Sequence, residues 1–310
     1  MEYRILGKTG LKVSALSYGA AVMGGNFGQM DLDEAIRAFH VALDHGVNYV
    51  DVAPYYGVTR AETMLGQVLK QVPRDRYLLS TKLGRYDLNS FDFSPARVQS
   101  SVDESLARLG VDYVDIMICH DIEFVPIEPV ITETLPAVEK LKQAGKIRHF
   151  GVSGLPLKIF DKVLPRYVLD LILSYCHYGL NDTTLLRLLP EIERQNLGLI
   201  LGAPLAMGLL TPQGPMPWHP AGDLIKEKCA EAASYCKARG VDIAQLALAF
   251  SLREERIHTV LCGMKSEAEV HSALAALQLE VDTELLKAVQ QILAPIQDQT
   301  WLSGLAENND

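Results

Sequence analysis

NYVDVAPYYG, residues 48–57, begins as a strand and then does something a purely structural strand has no reason to do. Val50 and Val52 alternate around Asp51 in the period-two pattern of a pleated segment. The chain then passes through Pro54, Tyr55, Tyr56 and Gly57, a turn composition carrying two adjacent phenols. A carboxylate at the end of a buried strand, with aromatic hydroxyls just beyond it, suits a sheet whose strand ends carry chemistry. Closed barrels of parallel strands are built that way.

Outward from this stretch, short β-branched segments alternate with longer amphipathic ones. Strands are expected at VSALSYG (13–19), NYVDVA (48–53), YLLSTK (77–82), VDIMICH (114–120), IRHFGVS (147–153), LDLILSY (169–175), GLILGAP (198–204) and HTVLCG (258–263). Between them, DLDEAIRAFHVALDHG spaces its apolar residues as a helix does and stops at a glycine. FSPARVQSSVDESLARLG opens with Ser94 and Pro95 at the cap and first-turn positions, and ETLPAVEKLKQAGK ends at Gly145. This repeated strand–helix alternation predicts an α/β fold, a closed (β/α)₈ TIM barrel. The rival, a doubly wound open sheet, would carry G-x-G-x-x-G after its first strand; GAAVMGGNFG has the wrong spacing. An N-terminal β-hairpin is expected to precede the barrel. The stretch LLTPQGPMPWHPAGD (209–223) after the seventh barrel strand reads as a functional loop or lid. The C-terminal helix and tail beyond residue 294 should cover one face, all within a single domain spanning 1–310.

Composition narrows the function. The 310 residues are 48% hydrophobic with net charge −9, and no dense Lys/Arg run occurs. That balance argues against nucleic-acid or anionic-membrane partners. No apolar run approaches the roughly 18 residues of a membrane span, and MEYRILGKTG lacks a signal-peptide core. The five scattered cysteines form no CxxC pair and read as reduced thiols, so a cytoplasmic protein is expected. No H-x-H pair stands at a strand end, so no metal site is expected.

The strand ends supply candidate site residues: Asp51 on the second, Lys82 on the third, His120 on the fourth, Ser153 on the fifth, Tyr175 on the sixth and Gly263 on the eighth. Alternation adds a filter. If His120 points inward, so do Ile118 and Ile116, while Met117 and Cys119 face the helices; if Lys82 points inward, Ser80 and Leu78 follow. Singly, each has a structural explanation: a snorkelling lysine, a satisfied core histidine, packing tyrosines at a bend. Together on successive strands they suggest a proton-transfer site. A phenol has a pKa of about 10; a nearby ammonium lowers it, and a carboxylate orients the ammonium. Such a site works on an alcohol or carbonyl and needs a nicotinamide to carry the hydride.

Asp51 and Tyr56 in DVAPYYG, Lys82 in STK and His120 in CH resemble the catalytic tetrad of the aldo-keto reductases. LGKTGLKVSALSYG, GKIRHFGVSG (145–154) and VLCGMKSEAEV (260–270) are also similar to that family, so the likeness covers nearly the whole chain. CHDIEF (119–124), LSYCHYGLND (173–182), PLAMGLLT (204–211), GPMPWHPA (214–221) and TWLSG (300–304) resemble its plant-type, L-galactose-oxidising aldose 1-dehydrogenases. The resemblance implies oxidation of the C1 hemiacetal hydroxyl of an aldose to a lactone, with Tyr56 as acid/base, Lys82 and Asp51 sustaining its phenolate and His120 orienting the oxygen. L-galactose is the expected substrate; L-fucose and D-arabinose are alternatives. It further implies dinucleotide contacts from Ser153, Tyr175, Ala203, Pro204, Leu205, Gly263, Met264, Lys265 and Ser266. The chain departs from the wider pattern at Gly154, Tyr175 and Ala203, where many members carry Asn, Gln and Ser. Glu269 stands where NADP-preferring members carry Arg, which favours NAD. Tyr55, Asp121, Glu123, His177 and Trp301 are substrate-contact candidates from loop position. The expected partner is a small aldose, and the expected state a monomer or weak homodimer. An NADPH-dependent carbonyl reductase and a nicotinamide-sensing subunit of a larger assembly are the rival readings.

Overall fold

The computed structural model describes residues 1–310. Strands β1 (Tyr3–Ile5) and β2 (Lys12–Ser14) form an antiparallel hairpin, with Arg4 opposite Val13. The barrel strands are β3 (Leu16–Gly19), β4 (Tyr49–Asp51), β5 (Leu78–Leu83), β8 (Val114–Cys119), β9 (Ile147–Gly154), β10 (Leu171–Tyr175), β11 (Gly198–Gly202) and β12 (Thr259–Gly263). They run parallel around a closed circuit in chain order, and closure is made where β12 pairs with β3, Gly263 opposite Gly19. A second hairpin, β6 (Arg85–Asp87) with β7 (Ser90–Phe91), stands on the loop after β5.

The helices around the barrel are α1 (Leu32–Asp44), α2 (Arg60–Leu69), α3 (Pro95–Leu109), α4 (Ile127–Pro129), α5 (Leu135–Gln143), α6 (Lys158–Val163), α7 (Leu189–Gln195), α8 (Asp223–Lys237), α9 (Ile243–Leu252), α10 (Glu267–Ala276) and α11 (Thr283–Leu293). Their starts follow sequence chemistry. Asp31 and Ser94 cap α1 and α3 by accepting from the Glu34 and Arg97 amides, and Pro95 fills a first-turn position whose N–H would have no helical partner.

Strand alternation sorts the core into layers. Inside the barrel, Tyr49, Ile116, Ile118, Leu171, Leu173, Ile200 and Leu261 pack together, and Leu6 and Val13 from the hairpin join them, plugging the barrel from below. Met117, Cys119, Leu199, Leu201 and Val260 face outward into the helix layer. Burying each such aliphatic side chain is worth about 1.5–3 kcal/mol, so the bottom and middle of the barrel are a packed core. The buried charges Asp51, Lys82 and Asp121, with His120, sit at the top, where the strands end. A separate apolar cluster ties α8, α9 and α11 together through Cys229, Ala232, Cys236, Leu246, Ala247 and Val289.

Two expectations need correction. The predicted first strand, 13–19, is divided at Ala15: the Ala15 amide donates to Glu2 O (2.9 Å), leaving Val13 in the hairpin plug and only Leu16–Gly19 in the barrel. The β6–β7 hairpin was not foreseen, because strands of two or three residues show no usable periodicity. The expected tail does lie over the rim. The Leu305 amide donates to Glu123 O (2.9 Å), and Asn308 Nδ2 donates to the Glu123 and Val125 carbonyls (both 3.0 Å). No helix is long and apolar enough to cross a membrane, and all five cysteines are free thiols in buried positions.

Candidate active site

The end of β4 delivers Asp51, and the Pro54 turn folds Tyr56 back over it. The end of β5 delivers Lys82 and that of β8 delivers His120. Lys82 is 1% exposed, and its Nζ donates to Asp51 Oδ2 (2.5 Å), the Val52 carbonyl (3.0 Å) and Tyr56 Oη (3.0 Å). The other Asp51 oxygen accepts from Ser80 Oγ (2.6 Å), which itself accepts from Tyr49 Oη (2.7 Å). A hydrogen-bonded chain therefore runs from the barrel interior to the rim: Tyr49, Ser80, Asp51, Lys82, Tyr56. Its inward parity is the one expected for Ser80 and Lys82. Behind β5, buried Glu62 on α2 accepts from Thr81 Oγ1 (2.5 Å) and Arg108 Nε (2.7 Å), fixing the strand on its outer face.

The His120 ring stands edge-on to Tyr56 (centroids 5.6 Å) and to Tyr55 (5.7 Å), and its Nδ1 is buried with no partner. Burial, reinforced by the cations Lys82 and Arg85, holds His120 well below its ordinary pKa, so it is neutral at physiological pH. Burial works to lower Lys82, but the Asp51 carboxylate and Tyr56 outweigh it and leave the ammonium more firmly protonated than usual. Tyr56 corrects the simple sequence expectation. Burial raises its phenol to about 12, although Lys82 pulls it down; the ammonium offsets desolvation without overcoming it.

Beside the tetrad lies a residue that sequence reasoning missed. Arg85, just past β5, places its guanidinium over the Tyr55 ring (3.8 Å) and the Phe124 ring (4.5 Å), and donates from Nη1 to Asp121 Oδ2 (2.5 Å). Asp121 follows His120 with a left-handed φ of 49°, a strained conformation for a non-glycine residue. Its amide donates to Ser153 Oγ (3.2 Å). The only sequence signal for Arg85 was a cation shortly after a strand end, since its aromatic partners come from other loops.

Other candidates divide. Tyr55 and Asp121 stand at the tetrad. Glu123 is fully buried: Oε1 accepts from the Leu155 amide (3.2 Å) and Ser303 Oγ (2.9 Å), while Oε2 has no partner. Burial, and then Asp121, push its carboxyl up to about 8. Gly154 is what admits it, because a Cβ there would collide with Glu123 Oε2 and with Ile159. His177 is held by Asp182 (3.1 Å) and Thr184 (2.8 Å) in the loop after β10. Trp301 packs edge-on against His219 (4.8 Å) and lines a cavity of about 380 Å³ between the tail, Leu155, Pro156 and Gly222; no tetrad residue borders it.

The opposite side of the rim has a different character. Tyr175, Ala203, Leu205, Gly263, Lys265 and Ser266 remain accessible between buried Pro204 and Met264. Met264 is turned into the core, and its carbonyl accepts from Tyr18 Oη (2.7 Å). Ala203, Ala206 and Met207 all take left-handed φ angles, so the chain turns sharply after β11. Ser266 caps α10 by accepting from the Glu269 amide (3.2 Å), and Glu269 accepts from the Lys265 amide (2.7 Å). A Cβ at Gly263 would lie 2.8 Å from Val22 Cγ1 and narrow the mouth. From the long loop, Trp218 Nε1 donates to the Asn26 carbonyl (3.2 Å), and Lys265 Nζ donates to the Phe27 carbonyl (3.2 Å), bridging the rim over the end of β12. A partly exposed phenol ring, a sharply turned loop with small residues and a helix N-terminus fit a nicotinamide dinucleotide laid from β10 to β12. No group of three or more His, Cys, Asp or Glu side chains is placed to hold a metal ion.

Residues 15–294 match the model of the Aldo/keto reductase family. The chain is 49% identical to L-galactose dehydrogenase of Arabidopsis thaliana over 99% of both chains, and 32% identical to D-arabinose 1-dehydrogenase of Saccharomyces cerevisiae over 94% of both. Among solved structures, the holo form of an aldo-keto reductase from Bacillus halodurans superposes over the full length of both chains with TM-score 0.79 at 26% identity.

Proposed function

The chain belongs to the aldo/keto reductase family of oxidoreductases, and on that footing we propose that it oxidises the C1 hemiacetal hydroxyl of an aldose, L-galactose foremost, to the lactone with NAD. The observation that carries the reading is the hydrogen bond of 3.0 Å between Lys82 Nζ and Tyr56 Oη, with Asp51 behind the ammonium and His120 edge-on to the phenol. Identity of 49% over nearly the whole of an L-galactose dehydrogenase supports the substrate class.

Tyr56 acts as base in the oxidative direction: its phenolate takes the proton from the C1 hydroxyl. Lys82 stabilises that phenolate, and Asp51 holds the ammonium in place through a contact of 2.5 Å. Neutral His120 hydrogen-bonds the reacting oxygen and so fixes which hydroxyl faces Tyr56. Burial of Asp51, Lys82 and His120 around the half-buried Tyr56 limits water's access to the proton. A bound nicotinamide supplies the acceptor for the hydride leaving C1. Ser153 and Tyr175 would hold its ring end, Ala203, Pro204 and Leu205 its pyrophosphate, and the Gly263–Ser266 segment its adenosine end. Glu269 beside that segment favours free ribose hydroxyls over a phosphate, hence NAD.

The test is a spectrophotometric screen of aldoses against NAD and NADP, followed by reduction of aromatic aldehydes with each reduced cofactor. Rapid oxidation of L-galactose with NAD is expected. Fast aldehyde reduction with negligible sugar oxidation would replace this reading with a carbonyl reductase.

A further inference from the structure

We propose that the Arg85–Asp121 ion pair is the sugar-reading element of this site: the guanidinium donates to, and the carboxylate accepts from, neighbouring hydroxyls of the aldose away from C1. The inference rests on the aldose reading above and assigns its specificity to two residues outside the tetrad.

The first observation is location. Asp121 Oδ2 lies 3.6 Å from His120 Nε2, and the Arg85 guanidinium lies 3.8 Å above the centre of the Tyr55 ring, which flanks the same histidine. The pair therefore stands beside the oxygen-orienting group, on the side where the rest of a substrate bound through C1 must extend.

The second is an unmet hydrogen-bonding demand. Arg85 is 7% exposed and Asp121 4% exposed, so both charges have left most of their water. A guanidinium offers N–H donors from all three nitrogens, yet Arg85 makes one hydrogen bond within the chain, from Nη1. Its Nε is buried without any partner, and Nη2 donates to nothing in the protein. The second Asp121 carboxylate oxygen also accepts no hydrogen bond from the chain. Tyr55 and Phe124 cover the guanidinium through its π-faces, which leaves the N–H edges unanswered. Burying a charged pair so sparsely bonded is costly, and a purely structural pair would be expected to have its remaining donors satisfied.

The third is the chemistry of the missing partner. Free donors beside a free carboxylate oxygen demand a ligand group that both accepts and donates. A sugar hydroxyl does both, and vicinal hydroxyls span a donor and an acceptor held side by side. A simple aldehyde lacks the donor, and an anion would meet repulsion from Asp121. The left-handed backbone at Asp121, clamped through its amide to Ser153, fixes the carboxylate for this purpose.

The experiment measures kcat/KM for the best aldose and each of its monodeoxy analogues, with the wild-type enzyme and with Asp121→Asn and Arg85→Lys. For wild type, removing a hydroxyl that the pair reads should cost about 10- to 100-fold, the range for hydrogen bonds to charged groups. In both variants the penalty for that same analogue should shrink to about threefold or less, since the charged partner has gone. Equal penalties in variants and wild type would overturn the proposal and leave the pair structural. So would a wild-type panel in which no hydroxyl beyond C1 matters by more than about threefold, a result that needs no variant to fold. A wild-type enzyme that oxidises no aldose at all would instead defeat the functional reading on which the proposal rests.

Discussion

The two sides of the barrel rim solve different problems with different materials. On the β4–β5–β8 side, the site is built from side chains: Lys82 contacts Asp51 (2.5 Å) and Tyr56 (3.0 Å), Arg85 contacts Asp121 (2.5 Å), and all but Tyr56 are almost wholly buried. On the β10–β11–β12 side it is shaped by backbone, with left-handed residues at Ala203, Ala206 and Met207, exposed Gly263 and the capped start of α10. On the proposed reading, proton transfer demands particular atoms at particular distances, which the first side supplies as hydrogen-bonded charged side chains. Holding a long dinucleotide, on the same reading, demands a shaped trough, and the second side is more open, its charge confined to Lys265 and the carboxylates at the start of α10.

The contrast is tested most severely on the charged side. Tyr56→Phe removes the transferring oxygen while keeping the ring, and turnover should fall by about 10²–10⁴-fold. Dinucleotide affinity, read by fluorescence quenching, should be nearly unchanged because the trough is untouched. A variant keeping a tenth of the wild-type rate would mean that another group moves the proton. Lys82→Met should cut turnover almost as far and also weaken the fold. It strands the Asp51 carboxylate in a buried position, a loss of about 3–5 kcal/mol unless the acid protonates. It also removes the cation that pulls the Tyr56 phenol down from its burial-raised value. In wild type, with that phenol near 12, the oxidative rate should climb through the alkaline range; in the variant the rise should move to still higher pH. A pH–rate profile unchanged by the substitution would deny any coupling between the two groups.

The same contrast explains what could be inferred before any coordinates. Strand ends and alternation placed Asp51, Lys82 and His120 on one rim because each sits on a periodic apolar run whose parity fixes its direction. The Pro54 turn offered Tyr55 and Tyr56 alike, and only the resemblance singled out Tyr56. Arg85 escaped because its meaning lies in partners on two other loops, Tyr55 after β4 and Asp121 with Phe124 after β8, which no local pattern connects. Glu123 was suspected of touching substrate, but the fold turns it toward the tail, where Ser303 Oγ and the Leu155 amide meet its carboxyl. The trough was the least visible part: Tyr175 and Gly263 were reachable as strand ends, but the left-handed alanines after β11 carry no chemistry in their letters, and only the resemblance pointed to that loop. The division of the first predicted strand at Ala15 was equally hidden, since hairpin and barrel segments share one alternating pattern.

Glu123 allows a milder test, at the seam between rim and tail. Its folded pKa of about 8 lies above the ordinary carboxylate value, raised by burial and by Asp121. A group raised in the folded state gives its full stabilisation below its unfolded pKa and loses it as pH rises through the folded one. The wild-type melting temperature should therefore fall between about pH 4.5 and pH 8 by more than that of Glu123→Gln, which cannot ionise. Protection of the Leu305 and Asn308 amides, taken relative to the intrinsic exchange rate at each pH, should fall over the same interval in wild type alone. Parallel melting curves for the two proteins would show that Glu123 keeps an ordinary pKa and that the tail is not held through it.

The smallest effect is expected in the trough, where side chains matter least. Glu269 accepts from the Lys265 amide (2.7 Å), and its other oxygen lies 3.8 Å from Lys265 Nζ, so one carboxylate both caps the turn into α10 and offsets the lysine. Because Glu269 is exposed, solvent screens its charge, and Glu269→Gln should shift the ratio of NADP to NAD efficiency by no more than about tenfold. The direction is fixed: with the carboxylate gone, Lys265 is left to meet a 2′-phosphate, so NADP gains. Salt supplies the control. If the shift is electrostatic it should shrink as ionic strength rises, whereas a shift caused by loosening the start of α10 would persist in salt and weaken both dinucleotides alike.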